Sequence, residues 1–294
     1  MPRTTLALTS FVSGEFSPKM DGRTDFEKYS SGAKTLENFL VHPQGAATRR
    51  VGTQFIAEVK SSAAKTRLIP FEFSTTQTYI LEFGNNYIRF FKDKGQILSG
   101  GSAYEISSPY LTAELFDIKF AQSADVMYIT HPNHEVMKLS RTGHTSWTLA
   151  QVDFTDGPYL ATNSSATTLQ PAQAAVGTGV NITASAVTGI NGGAGFQTTD
   201  VGRIISFNSG KAKITSRTNT TVVVCTITTA FANTDATAAF KLGAFSDTTG
   251  HPSCVSFFEQ RLVFAGTSDE PQTLFFSKAG DYENMTAGTN AADA

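Results

Sequence analysis

Two adjacent arginines, Arg49 and Arg50, stand between two turn glycines, Gly45 and Gly52, in the stretch PQGAATRRVGTQF. A pair of planar guanidinium groups suits bidentate pairing with carboxylate or phosphate. Three chemistries are open to it: a phosphate site, a catalytic clamp and an assembly contact. Gripping a nucleic acid needs several bases tracking one groove. Here only Lys60, Lys65 and Arg67 follow, while Glu27, Glu37 and Glu58 are close in sequence. Ion pairs within the chain or between subunits are therefore expected. The corner that carries them comprises Gly45, Arg49, Arg50, Gly52 and Thr53.

Other reactive residue types give weaker patterns. His131 and His134 in THPNHE are three apart, but Pro132 intervenes and the segment reads as a solvent-exposed turn. A zinc site asks for more ligands at defined spacing, and His42, His144 and His251 are each alone, so no metal site is expected. Asp153 and Asp156 flank a Gly-Pro turn, which reads as turn chemistry rather than an acid/base pair. SRTGHTSW at Ser140–Trp147 approaches the sialidase blade turn S-x-D-x-G-x-x-W, yet Thr142 replaces its Asp and His144 its Gly. No G-x-S-x-G, P-loop or H-E-x-x-H occurs. Cys225 and Cys254 lie in no CxxC or Cys/His cluster and read as two reduced strand thiols. No catalytic residue, cofactor or metal is expected.

The chain that must position these residues has 294 of them, with formal charge −2 and only 16% charged residues. Phe dominates the aromatics, with 23 against a single Trp. Abundant Gly and long Thr/Ser/Ala/Asn runs favour a mainly β protein with many turns. The near-zero net charge argues against tight nucleic-acid binding, which is largely phosphate neutralisation. No apolar run approaches the ~18 residues of a membrane helix, and the start is a poor secretory signal.

Residues 1–22 read as an extended arm. One helix is expected next, with a T-x-x-E capping box at Thr24 and Glu27. Phe26, Tyr29, Ala33, Leu36 and Leu40 would share its face, and His42-Pro43 would end it. The period then switches to two, giving strands at Thr53–Lys60, Thr66–Phe73, Gln77–Phe83 and Tyr87–Lys92. Segments from Leu68, Asp117 and Cys254 resemble one another: three strands, then a small turn closing at Gly95, Gly143 or Gly280. The first two closing glycines are about 48 residues apart, a spacing like that of propeller blades. Between the second and third, residues 158–248 read as an inserted small β-barrel or sandwich. A flexible linker is the alternative for the charge-free residues 161–195. The expected organisation is an arm, helix and first strand (1–60), propeller-like blades (61–157), the insert (158–248) and a further blade (249–294). Three units do not close a propeller, which needs at least ~4. The ending TAGTNAADA has no closing strand, so a truncated chain is expected.

SGEFSPKMDGRTDFEKYSSGAKTLENFLVHPQGAATRRVGTQFI resembles the start of the tail tubular (nozzle, or stabilisation) proteins of short-tailed bacteriophages. The pattern G-E-x-S-P, G-R-x-D, a helical Tyr, N-F, P-x-G and R-R-P-G-T maps onto Gly14–Pro18, Gly22–Asp25, Tyr29, Asn38-Phe39, Pro43–Gly45 and Arg49–Thr53. Val51 departs from the family's Pro. The resemblance implies a non-enzymatic virion component, assembled in the host bacterial cytoplasm. It implies a hexameric tube in the tail, below the portal–adaptor ring, beside tail fibres, through which genome DNA passes without sequence-specific binding or membrane insertion by this chain. A receptor-binding tail spike or fibre domain contacting surface glycans is the alternative, and a propeller glycosidase a third reading.

Overall fold

A computed structural model describes residues 7–286. The chain is mainly β and forms two compact units, Met1–Ile56 and Ala57–Ala294. The expected absence of a closing strand concerns residues that are mostly outside the described range.

In the N-terminal unit the expected helix does not form. Only 3-10 turns appear, at Pro18–Met20 and Glu27–Ser31, and the rest of the supposed helix includes strand β1 (Phe39–Val41). β1 pairs antiparallel with β2 (Ala47–Arg49), Leu40 opposite Thr48. The physical reason is that a helix gains most of its stability by burying an apolar face, and Phe26 and Leu40 remain exposed. The backbone is spent on the arm instead. Ala33 N–H donates to Gly14 O at 2.9 Å, and Phe16 N–H donates to Ala33 O at 3.0 Å. Gly32 allows this approach, since a Cβ there would lie 2.1 Å from the Phe16 ring. Phe16 in turn stacks on Tyr29 at 5.7 Å.

The expected strand over Thr53–Lys60 is also absent, and residues 53–56 are exposed. Among the described residues no strand pairs with this segment, so its backbone joins no ladder.

The second unit begins with sheet one. It contains β3 (Arg67–Ser74), β4 (Gln77–Gly84), β5 (Tyr87–Lys92) and β6 (Gly95–Gln96) in order. A separate hairpin of β7 (Leu98–Ser99) and β8 (Ser102–Ala103) leads to β9 (Glu105–Ser107), which returns onto β5. Period-two alternation puts Ile69 and Phe71 of β3 with Tyr79, Leu81 and Phe83 of β4 in one core. Asn86 (φ 62°) turns the β4–β5 hairpin, and Asp93 and Lys94 (φ 50° and 61°) turn the next, matching the twist of the strands.

Sheet two is a meander of β10 (Lys119–Ser123), β11 (Val126–His131), β12 (His134–Gly143) and β13 (Ser146–Gln151). One face sends Met127, Ile129, Leu139 and Trp147 into the core of sheet one. The other sends Tyr128 and Val136 against Leu262, Phe264 and Phe275. Those belong to sheet three: β20 (Cys254–Phe258), β21 (Arg261–Ala265) and β22 (Leu274–Phe276). Sheet two is thus covered on both faces.

In sequence, the segment between β13 and β20 forms a six-stranded antiparallel sheet with its own core. Its strands are β14 (Leu169–Pro171), β15 (Gly177–Ala184), β16 (Ile204–Phe207), β17 (Gly210–Arg217), β18 (Val222–Thr229) and β19 (Lys241–Leu242). Their spatial order is 14-15-18-17-16-19. Val180, Ile182, Ile205, Phe207, Ile214, Val223 and Cys225 fill the core. The charge-free segment is not a linker, because it supplies β14 and β15. Its polar side chains serve the fold: the Asn163 amide donates to the Ser165, Thr167 and Ala238 carbonyls at 3.0–3.1 Å.

Candidate functional site

The arginine corner is a hairpin, not a helix-to-strand junction. Asn38, at φ 63°, starts it. Arg50 N–H donates to Asn38 O at 2.9 Å, and Arg50 Nε donates to Asn38 Oδ1 at 2.7 Å. Gly45 (φ 101°) closes the β1–β2 turn, its N–H on His42 O at 3.0 Å. Its carbonyl accepts from Phe11 N–H at 2.8 Å, so the same glycine fastens the arm to the hairpin. A Cβ at Gly45 would lie 2.9 Å from Ser10 Oγ. Arg49 ends β2 opposite Phe39. Gly52 has open space around it, and Thr53 is exposed in irregular backbone.

No carboxylate among the described residues of this unit lies within 4.0 Å of Arg49 or Arg50. This corrects the expected ion pair as far as this unit goes: Glu27 and Glu37 are near in sequence but do not reach. A neutral amide holds Arg50 in place and leaves its charge uncompensated. Asn38, Arg49, Arg50, Val51 and Gly52 line an open hollow. Val51 is 83% exposed and Phe55 75%. Gly45 is the one buried residue among those described in this unit, and none of the buried hydrophobic residues belongs to it.

Asp153 and Asp156 are tied to lysines on β17 rather than to each other. Asp153 pairs with Lys213 at 2.8 Å and is exposed. Asp156 is buried and pairs with Lys211, while accepting hydrogen bonds from Thr286 and from Tyr159 Oη, the latter at 2.5 Å. Burial pushes the Asp156 carboxyl up, but Lys211, Thr286 and Tyr159 together outweigh it and hold the group below its ordinary value. A carboxyl that titrates lower folded than unfolded contributes fully above an unfolded value of about 3.9, and the contribution is lost as pH falls through the folded one. The melting temperature is therefore expected to drop as pH falls below about 4. Asp156→Asn is expected to be less stable at neutral pH by about 1–3 kcal/mol and to show a flatter acid limb. Parallel acid limbs for the two proteins would remove Asp156 from this account.

The reading of His131 and His134 as a solvent turn needs correction. They face each other across a two-residue hairpin, ending β11 and starting β12, and His131 is 1% exposed. Their rings lie 5.0 Å apart, and the edge of His134 meets Tyr110 at 5.2 Å. Glu114 joins them from the preceding loop, its Oε2 2.8 Å from His134 Nε2. One ligand atom from each of the three lies within 4.8 Å of the others. Sequence spacing misses Glu114 because strands β10 and β11 separate it from the histidine hairpin. The H-x-x-H spacing would reveal only the hairpin pair, once Pro132-Asn133 is taken as its turn.

The two cysteines are free thiols on β18 and β20, Cys225 buried and Cys254 exposed. Burial pushes the Cys225 thiol up to about 12. No helix among the described residues is long and apolar enough to cross a membrane. No protein-family model matches the chain, and no curated protein matches it significantly.

Proposed function

We propose that the chain is a non-catalytic building block of a short-tailed phage tail: a subunit of the hexameric nozzle below the portal–adaptor ring, through which genome DNA leaves. The observation that carries the reading is the N-terminal unit. It has no buried hydrophobic residue among those described, displays Leu40, Val51 and Phe55, and presents two arginines without a carboxylate. About fifty residues without a core do not hold a fold by themselves, so a neighbouring subunit supplies the missing apolar and acidic surface. A closed ring needs such heterologous contacts. Arg49 and Arg50 then pair across the subunit boundary, with Asn38 fixing the direction of Arg50.

The rest of the chain suits the same role. Three sheets stacked through shared cores fit an incomplete propeller-like platform, and the six-stranded sheet fits an inserted β-barrel or sandwich domain. A net charge of −2 suits a conduit that DNA must traverse without sticking. On this reading the chain belongs to the virion tail, after assembly in the host cytoplasm.

Negative-stain electron microscopy and solution mass of the purified chain test the reading. Six-fold rings with a central channel are expected. The Arg49→Glu, Arg50→Glu double variant is expected to remain folded by circular dichroism while dissociating to monomers. Trimers would reject the nozzle in favour of a spike. Wild-type rings and unchanged virion yield in Arg50→Ala would remove the corner from the assembly contact.

A further inference from the structure

We propose that Glu114, His131 and His134 form a binding site for one first-row divalent metal ion of the zinc class. This inference does not depend on the assembly reading. Imidazole nitrogen with a single carboxylate is the donor set that zinc, cobalt(II) and nickel(II) favour over magnesium and calcium.

Three separate features of the fold converge on it. The hairpin puts His131 and His134 directly opposite each other, hence on one face of sheet two. Glu114 is held from the loop before β10, where Oε2 accepts Leu111 N–H at 2.9 Å; its other oxygen, Oε1, makes no hydrogen bond among the described residues. His131 Nε2 is buried with no hydrogen-bond partner, so a strongly polar ring atom is removed from water and given nothing in return.

Distances decide whether an ion fits. Zinc bonds of about 2.0–2.2 Å separate tetrahedral ligand atoms by about 3.3–3.6 Å. The present separations run from 2.8 Å, His134 to Glu114, to no more than 4.8 Å. Side-chain adjustments of about an ångström therefore bring all three to bonding distance. Coordination exchanges the His134–Glu114 hydrogen bond for two bonds to the metal. If His131 binds through Nε2, its proton moves to Nδ1, and the Asn133 N–H contact to Nδ1 at 3.1 Å is given up. Glu114 and His134 are only half-buried, which leaves a path for the ion and a fourth position for water. Tyr110, fully buried against both rings, holds the imidazoles in place. Without a metal, the three groups share no more than the His134–Glu114 hydrogen bond, in which His131 has no part.

The test is zinc titration calorimetry on the tag-free, chelator-treated full chain, with cobalt(II) absorption alongside. One zinc per chain is expected, with the visible bands of four-coordinate cobalt and no strong thiolate band. Binding should disappear in His134→Ala, weaken at least tenfold in Glu114→Gln and persist in His42→Ala. In chelator, all three variants should melt close to the wild type. Absence of zinc binding by the wild type would overturn the proposal. So would binding that His134→Ala retains, or a thiolate band, which would assign the ion to Cys254.

Discussion

In Asp200→Ala, Cys225 is expected to become reactive towards a thiol reagent about two to four orders of magnitude faster than in the wild type. Cys254, already exposed, should react promptly in both. The reason lies at the edge of the six-stranded sheet, where Arg203 and Asp200 are 2% and 0% exposed. Burial pushes the Arg203 guanidinium down, and Asp200 pulls it back towards its ordinary value. Arg203 Nε donates to Gly243 O at 2.5 Å, and one terminal nitrogen donates to Asn191 Oδ1 at 2.7 Å and Asp200 Oδ1 at 3.0 Å. The other terminal nitrogen already lacks a partner. Asp200 Oδ2 in turn accepts from Gln197 N–H and Asn191 Nδ2, both at 2.7 Å. Removing the carboxylate strands a buried cation and frees two donors. Breaking a buried pair from one side costs about 3–5 kcal/mol. That sum falls on the sheet whose core contains Cys225. Asp200→Asn keeps one acceptor and should lie between the two. Acceleration of less than tenfold in Asp200→Ala would show that the pair does not hold this sheet together.

What was legible in the sequence follows from which forces are local. Alternation in LIPFEFS and QTYILEF reports a strand face directly, because successive side chains point to opposite sides. Gly84-Asn85-Asn86 reports its hairpin because Asn tolerates positive φ. The spacing of Phe26, Tyr29, Ala33, Leu36 and Leu40 is equally regular, yet it shows only that a helix would have an apolar face. It carries no information on whether a surface exists to cover that face, and among the described residues of this unit none does. The arginine corner was legible as a turn with two cations, but its missing carboxylates were not, since nearness in sequence does not set side-chain reach. His131, Glu114, Arg203 and Asp200 were illegible for a related reason. Each derives its role from burial or from a partner brought in by the topology. Asp156 was visible as a turn residue, whereas Lys211 and Thr286, which make it a tie between distant segments, were not.

Trp147→Ala is expected to destabilise the stacked sheets by about 3–5 kcal/mol while leaving Cys225 protected. The indole stacks on Phe90 at 4.5 Å and meets Phe71 and Tyr79 edge-on at 4.8 and 5.2 Å. Its Nε1 donates to His144 O at 3.1 Å. Three of these partners come from sheet one and the indole from sheet two, so a single side chain closes the seam between them. Truncation leaves a cavity rimmed by rings that cannot follow it inwards, and it forfeits aromatic pairs worth about 0.5–1.5 kcal/mol each. Trp147→Phe should recover part of the loss. Denaturant unfolding followed by circular dichroism reads the sheets, and thiol labelling of Cys225 reads the inserted domain. The two substitutions thus make opposite claims: Asp200→Ala opens the insert and spares the seam, whereas Trp147→Ala does the reverse. That separation follows from the distinct cores, since no residue is shared between the cluster around Trp147 and the one around Cys225. If Trp147→Ala exposes Cys225 as fast as it melts the sheets, the second unit unfolds as one cooperative body. If Cys225 stays protected, the insert can lose or change its own stability without loosening the stacked sheets, and the two cores fold as separate cooperative bodies.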